Sequence, residues 1–248
     1  MTFPICVYEE QRDYWVSGTF IRGGYYERLF VDWFISLLRR FPDVEFVDLG
    51  ANIGTFTLPA ARITHVVAVE PYLMSMIRLF KSVQLGGVQD NVSLVLDAIS
   101  NIRSTSKLRV YSGNIGRAHL RAADTTNCAD DLCTETIVLD DLLPMMRRRR
   151  ALMKADIEGH QPRVFNTSTA SKFFELIDIL VILMEWSHFR RPNIASDVPD
   201  LVTFFTVRHY KVFTNDGRPA GSDCSKWSKN VIFIKQSFYS LIFDAGKL

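Results

Sequence analysis

Glu45-Phe-Val-Asp-Leu-Gly-Ala-Asn-Ile-Gly-Thr-Phe-Thr57 decides the fold. Together with Val44 its first part is an apolar run of strand length, Val44–Leu49. A turn carrying Gly50 and Gly54 follows, and a helix opens near Ile53. Further along, Val66-Val-Ala-Val-Glu-Pro71 reads as a second apolar strand ending on a carboxylate. Glu70 stands 20 residues after Gly50, about the spacing at which an acidic residue meets a ribose in a βαβ unit. The two pieces describe a pocket for a nucleotide-type cofactor.

The turn departs from the dinucleotide fingerprint. In that fingerprint three glycines at G-x-G-x-x-G let the backbone approach a pyrophosphate, whereas Gly50-Ala-Asn-Ile-Gly54 has two, with Asp48 just before them. A carboxylate there repels pyrophosphate and suits an ammonium group. S-adenosylmethionine carries one: its amino group can pair with Asp48, its carboxylate with the free N–H groups of the turn from Gly50 to Gly54, and its ribose with Glu70. Asn52 and Thr55 are candidates to complete the methionine end, although Asn in a tight turn also has a purely conformational explanation.

The chain resembles the FkbM family of class I S-adenosylmethionine-dependent methyltransferases. The resemblance rests on Val47-Asp-Leu-Gly-Ala-Asn-Ile-Gly-Thr55, Ala68-Val-Glu-Pro71, Leu94-Val-Leu-Asp-Ala-Ile-Ser100, Ile137-Val-Leu-Asp-Asp-Leu142, Met153-Lys-Ala-Asp-Ile-Glu-Gly159 and Leu183-Met-Glu-Trp186, in family order. It implies a Rossmann-like α/β fold. It also implies that Asp97 and Ala98, at the end of the third strand, meet the adenine edge. Gly24-Tyr-Tyr-Glu27 resembles a segment that precedes the cofactor motif in the family, and Glu27 is either a donor contact or a helix-start charge.

Alternating strand and helix patterns without repeats predict a mostly parallel seven-stranded sheet with helices on both faces and an antiparallel edge strand. One domain is expected over residues 1–248. Within it, 1–43 is an N-terminal lead-in and helix, 44–111 the cofactor half, 112–136 a long polar loop and 137–248 the acceptor half. Tyr14–Ile21 reads as an extended or hairpin lead-in. Tyr25–Arg40 reads as an amphipathic helix burying Leu29, Phe30, Trp33, Phe34, Leu37 and Leu38, ended by Pro42. Further strands are expected at Val92–Asp97, Lys107–Tyr111, Leu152–Ala155, Ile177–Met184, Arg208–Thr214 and Val231–Gln236, with helices at Ile53–Arg62 and Leu73–Leu85.

In open α/β sheets the ligand lies beyond the carboxyl ends of the strands, so the acceptor side follows the fourth and fifth parallel strands. Asp156, Glu158 and His160 alternate, and an extended backbone puts all three on one face. If the acceptor is an alcohol its proton must leave, which calls for a positioned base. Asp156 is the first candidate and His160 the alternative, with Glu158 to orient a hydroxyl and Lys154 to hold the developing oxyanion. The competing reading is an acidic helix start. Glu185 and His188 flank the same mouth, and Trp186 offers a face for a sugar ring. A divalent cation held by Asp156, Glu185 and His188 is conceivable, although the spacing does not support one.

A net charge of +2 with 48% hydrophobic residues gives no reason to expect nucleic acid. The run Arg147–Arg150 reads as a solvated turn before a buried strand. No apolar run reaches bilayer length, the longest being Ile179–Met184. Met1–Glu10 lacks signal-peptide character. Asn91-Val-Ser93 and Asn166-Thr-Ser168 are acceptor sequons compatible with a secretory compartment. Cys6, Cys128, Cys133 and Cys224 show no metal spacing, and Cys128 and Cys133 are either bridged or free according to compartment. A Golgi or other secretory lumen is expected if an anchor precedes this segment, and the cytoplasm otherwise. The expected activity is transfer of a methyl group from S-adenosylmethionine to a hydroxyl, the family pointing to a hexose of a glycan or another sugar-containing acceptor. The alternatives are a small-molecule or protein N-methyltransferase and a non-catalytic cofactor-binding module.

Overall fold

The computed structural model describes residues 3–121, 132–190 and 196–243. Eleven strands are present among them: β1 (Glu45–Leu49), β2 (Val66–Val69), β3 (Val92–Val95), β4 (Ala98–Ile99), β5 (Ser104–Tyr111), β6 (Asn114–Leu120), β7 (Cys133–Ile137), β8 (Arg150–Ala155), β9 (Asp178–Glu185), β10 (Tyr210–Thr214) and β11 (Asn230–Lys235). The α-helices are α1 (Val16–Ile21), α2 (Arg28–Arg40), α3 (Thr57–Ala60), α4 (Leu73–Gly86), α5 (Gln161–Val164), α6 (Ser171–Leu176), α7 (Val198–Thr206) and α8 (Gln236–Phe243).

Seven strands form the main sheet in the order β10-β11-β9-β8-β1-β2-β3. β1, β2, β3, β8 and β9 pair in parallel, and β11 runs antiparallel to both β9 and β10. The reversed strand therefore lies one place in from the edge rather than at it. Period-2 alternation divides the strand side chains between two cores. Val47, Leu49, Val67, Val69, Met153 and Met184 pack against Phe173, Leu201 and Phe205 on one face. Phe46, Val66, Ala68 and Leu152 pack against Phe34, Leu38, Leu79 and Phe238 on the other. Such two-sided burial explains why these strands read as continuous apolar runs.

Several expected elements are corrected. Tyr14–Ile21 is not extended: Val16–Ile21 is a helix, because the buried Asp13 carboxylate accepts from Ser17 N at 2.9 Å and Ser17 Oγ at 2.7 Å and so starts a turn. The amphipathic helix begins at Arg28, after Glu27 adopts φ 52°, and Leu29 faces water at 84% exposure while Val31 and Ile35 take buried places. Of the helix expected over Ile53–Arg62, only Thr57–Ala60 is regular. The stretch taken for a loop at 112–136 contains β6 and the start of β7. These join β4 and β5 in a second sheet of order β4-β7-β5-β6, over a small core of Tyr8, Val16, Ile53, Tyr72, Leu108 and Ile115. The hairpin turn at Tyr111–Asn114 carries Gly113 at φ +80°, and polar strand residues such as Asn114 and Arg117 hid the pattern. Cys6 and Cys224 are free, Cys133 is disulfide-bonded, and Cys128 lies outside the described residues. Among the described residues no helix is long and apolar enough to cross a membrane.

The amino ends of the parallel strands are pinned by one carboxylate. Glu45 is fully buried and accepts from Arg148 N at 2.9 Å, from Arg147 N at 3.1 Å, and is paired with His65 Nδ1 at 2.8 Å. The other His65 nitrogen meets Ser93 Oγ at 3.0 Å, so the network spans the starts of β1, β2, β3 and the turn into β8. The arginine run is thus held by its backbone, while Arg150 pairs with Asp43 and Arg147 donates to Asp90 O. Removing Glu45 leaves two backbone N–H groups and a buried imidazole without their partner. Glu45→Ala is expected to cost about 2–4 kcal/mol in chemical denaturation while leaving ligand affinity at the opposite edge of the sheet unchanged. A loss under about 0.5 kcal/mol would show that the network carries little.

Candidate active site

Where the carboxyl ends of β1, β2, β8 and β9 converge, a cavity of about 700 Å³ opens, within the size range of small-molecule sites. β6 and the start of α1 lie along its other side. Gly50 makes the convergence possible. It sits at φ +83°, and a Cβ there would lie 1.9 Å from the Asp156 carbonyl oxygen, so only a hydrogen side chain lets the turn after β1 touch the end of β8. Asp156 N in turn donates to Leu49 O at 3.0 Å.

On the donor side, Asp48 is buried, with Oδ2 accepting from Thr57 Oγ1 at 2.6 Å and Oδ1 unpartnered. Burial raises its carboxyl pKa, with Lys154 acting against the shift. Glu70 is bound by the turn itself: Asn52 N donates to Oε2 at 2.8 Å and Tyr72 N to Oε1 at 2.9 Å. Burial pushes its carboxyl up to about 7 despite those bonds. Each oxygen keeps a lone pair for a further donor. Asn52 takes φ 50°, and the hydroxyl of Ser75 lies 3.4 Å from its Oδ1. Thr55 Oγ1 is buried without a partner. A cationic amine and a diol are what these acceptors lack, and S-adenosylmethionine offers both.

The cavity is lined by Glu27, Asp48, Gly50, Asn52, Thr55 and Glu70 of the donor candidates, together with Ala98. Asp97 is not in the wall; it is half-buried in front of β4, its pKa raised by burial and by Glu135. Gly54 is also outside it, since its φ of +98° and the 2.5 Å from a would-be Cβ to Leu79 Cδ1 assign it to helix packing. Glu27 accepts from Asn230 Nδ2 at 3.2 Å.

The acceptor candidates meet by a turn rather than along an extended segment. Glu158 at φ 57° and Gly159 at φ 93° reverse the chain, and His160 caps α5. Register places Lys154 beside Asp48 on the same sheet face, and Lys154 Nζ reaches Asp156 Oδ2 at 3.1 Å. Asp156 Oδ1 is buried and unpartnered. Its carboxyl is pushed well up by burial, opposed by Lys154 and reinforced by Glu185, Glu158 and Glu27. Burial also acts upward on Glu185, but hydrogen bonds from His188 and Ser187 prevail and hold it below the usual carboxylate range. His160 Nε2 meets Ser100 Oγ at 3.0 Å, and burial with Arg163 lowers its pKa to about 4, so the ring is neutral near pH 7.

His188 Nε2 lies 2.8 Å from Glu185 Oε2 and 3.1 Å from Glu158 Oε2. Burial disfavours its charge, yet the two carboxylates raise its pKa to about 9. Among the described residues the three groups whose ligand atoms come within 4.8 Å of one another are Glu158, Glu185 and His188, not the expected set, because Asp156 is taken by Lys154. Trp186 is also misplaced: it is 1% exposed, packs against Trp227 and Phe189 and donates Nε1 to Cys224 O at 2.9 Å, so no sugar ring reaches it. Residues with no clear mark in the sequence complete the wall: Trp15 and Tyr26, Ser75, Arg117 and His119 on β6, and Lys229. Gln161, fully buried, ties the ends of β8 and β9 by donating to Ala155 O and Glu185 O at 3.3 Å each.

Residues 48–212 match the family described as Methyltransferase FkbM domain. No curated protein matches the chain. Among solved structures, it is similar to the methyltransferase FkbM from Methylobacillus flagellatus KT, with TM-score 0.50 and 15% identity over 77% of this chain and 44% of that one. The present chain therefore spans less than half the length of that relative. A putative caffeoyl-CoA O-methyltransferase from Staphylococcus aureus gives TM-score 0.48 and 9% identity over 88% of each chain. The O-methyltransferase from Bacillus cereus in complex with SAH gives 0.45 and 14% over 82% and 80%. The match runs from the end of β1 to β10 and takes in Asp48, Glu70, Asp156 and Glu185 of the cavity, and the chain belongs to the FkbM methyltransferase family.

Proposed function

We propose that this chain is an S-adenosylmethionine-dependent O-methyltransferase whose acceptor is a sugar hydroxyl, in a glycan or another sugar-containing molecule. The observation that carries the reading is Asp156: one oxygen held by Lys154, the other buried and unpartnered, at the strand end that touches the donor turn. An aliphatic alcohol needs its proton removed during attack, whereas a neutral amine does not. A carboxylate whose pKa is raised is a better base than an exposed one, and Lys154 beside it favours its ionised form.

When bound, S-adenosylmethionine supplies a methyl group on a positively charged sulfur. Asp48 would accept from its ammonium group and Glu70 from its two ribose hydroxyls, while Ala98 and Ile99 would wall the base. As the acceptor oxygen gained the methyl group and the sulfur left as a neutral thioether, Asp156 Oδ1 would take the hydroxyl proton, the negative charge of Glu185 strengthening it as a base. Glu158, fixed by His188, orients a neighbouring hydroxyl. Neutral His160, tied to Ser100, serves as wall rather than base. Holding the oxygen against the methyl carbon can itself supply up to ~7–11 kcal/mol. Sequons and the disulfide-bonded Cys133 support a secretory compartment for this activity.

Incubation with labelled donor and a panel of glycans, amines and small alcohols, read by mass spectrometry, should show methyl gain on glycans. Gain only on amines would replace the O-methyl reading with the N-methyl one, and donor binding without turnover on any acceptor would leave a binding module. Asp156→Asn should retain donor affinity while lowering kcat by ~10²–10⁴-fold. In wild type, kcat should fall as pH drops through the raised Asp156 pKa, because the base works only when ionised. Glu70→Ala should weaken donor binding roughly 10-fold or more by calorimetry. A carboxylate that binds two hydroxyls is ionised in the complex, so wild-type donor affinity is present above about pH 7 and declines below it. Unchanged affinity from about pH 8 to about pH 6 would remove the ribose assignment.

A further inference from the structure

We infer that Trp15 is the platform on which the acceptor's sugar ring stacks, and that the sugar it selects is a neutral hexose rather than a uronate or phosphosugar. The inference rests on the carbohydrate reading above and specifies it. Trp15 lines the cavity yet leaves 57% of its surface in water, an indole face that only a ligand would cover.

It is held rigidly. Tyr14 meets its ring edge-to-face at 5.3 Å, and the Arg22 guanidinium lies 4.5 Å over the Tyr14 ring while Arg22 Nη2 donates to Tyr14 O at 3.2 Å. Tyr14 N donates to Gly113 O at 3.2 Å, and Asp13 bridges to Asn114, so the turn bearing Trp15 is tied to the start of β6. Buried Asp13 then locks the first turn of α1 through Ser17. An exposed aromatic whose backbone and ring neighbour are held in this way loses less conformational freedom when a ring settles on it than one on a free loop. The C–H face of a hexose is apolar and its rim hydroxylic, which suits an indole on one side and the carboxylates of Glu158 and Glu185 in the same cavity.

The charge argument is separate. Among the described residues, each lysine or arginine of the cavity wall already faces a carboxylate: Lys154 with Asp156 at 3.1 Å, Arg117 with Glu158 at 3.9 Å, Lys229 with Glu185 at 3.9 Å. A further anionic group would meet Glu27, Glu158 and Glu185 without an uncommitted partner.

The test uses Trp15→Ala and Trp15→Phe with three readouts: acceptor KM on a neutral glycan, donor Kd by calorimetry, and tryptophan emission on adding that glycan. Trp15→Ala should raise KM roughly 10-fold or more with donor Kd unchanged, and Trp15→Phe should recover most of the loss. The glycan-induced change in emission should vanish in Trp15→Phe. The matched uronate or phosphosugar should be a poorer substrate of wild type by roughly 10-fold or more. Glycan methylation with KM unmoved in Trp15→Ala overturns the platform, and equal use of the anionic sugar overturns the charge selection. Wild type that methylates no glycan overturns the carbohydrate reading itself, a failure visible before any variant is made.

Discussion

The closest approach in the site is between two backbones, and the rest of the structure depends on it. Gly50 after β1 and Asp156 after β8 touch so closely that the carbonyl of one occupies the space of the other's missing Cβ. Strands packed side by side in a parallel sheet normally keep their loops apart; here one loop lies directly on the other. The donor turn and the acceptor acid thereby become parts of one rigid unit, and the hydrogen bond from Asp156 N to Leu49 O fixes their distance. A base placed by a side chain alone would wander by rotamer. On the proposed reading the base is placed by strand register instead, Lys154 standing opposite Asp48 with Asp156 two residues on.

The two edges of the sheet show opposite polar economies. At the amino edge the Glu45 carboxylate gathers two backbone N–H groups and His65, so its buried charge is well satisfied. At the carboxyl edge Asp48 Oδ1, Thr55 Oγ1, Asp156 Oδ1 and His188 Nδ1 are buried and lack partners. An unsatisfied buried group costs ~1–3 kcal/mol, and several in one cavity are tolerated only where something else relieves them. Stability is concentrated where the strands begin and binding capacity where they end. Ligands of open α/β sheets occupy the same edge for the same reason: strand carbonyl ends, helix starts and turns expose their polar groups there.

The donor half was largely legible in the sequence. Asp48, Gly50, Asn52, Thr55 and Glu70 are near one another in the chain, the glycine position requires its backbone, and the short strand Val66–Val69 delivers Glu70 beside the turn after β1. The acceptor half was legible only as residue types. Asp156, Glu158, Glu185 and His188 do share one cavity, but the pairings among them depend on a left-handed Glu158, which no alternation pattern foretells. Trp186 failed for a related reason: after a central strand, whether the next residue turns toward solvent or core is set by the packing of Trp227 and Phe189 far along the chain. Gly54 looked like a ligand-approach glycine and is one that admits Leu79.

The largest misreading, the polar stretch after Tyr111, bears most on specificity. Its strand β6 is half-exposed and rich in Asn, Arg and His because one face looks into a wet cavity instead of a core, so the usual apolar alternation is absent. A strand that lines a binding site reads as a loop for that reason. β6 contributes nothing to the seven-stranded sheet, yet it anchors the turn bearing Trp15 and carries Arg117 to Glu158. On the proposed reading, chemistry and selectivity are held by different layers: the main sheet would fix where a methyl group is transferred, and the small sheet what can lie beneath it. On that reading substitutions along β6 would change the acceptor while the Gly50–Asp156 contact stays as it is.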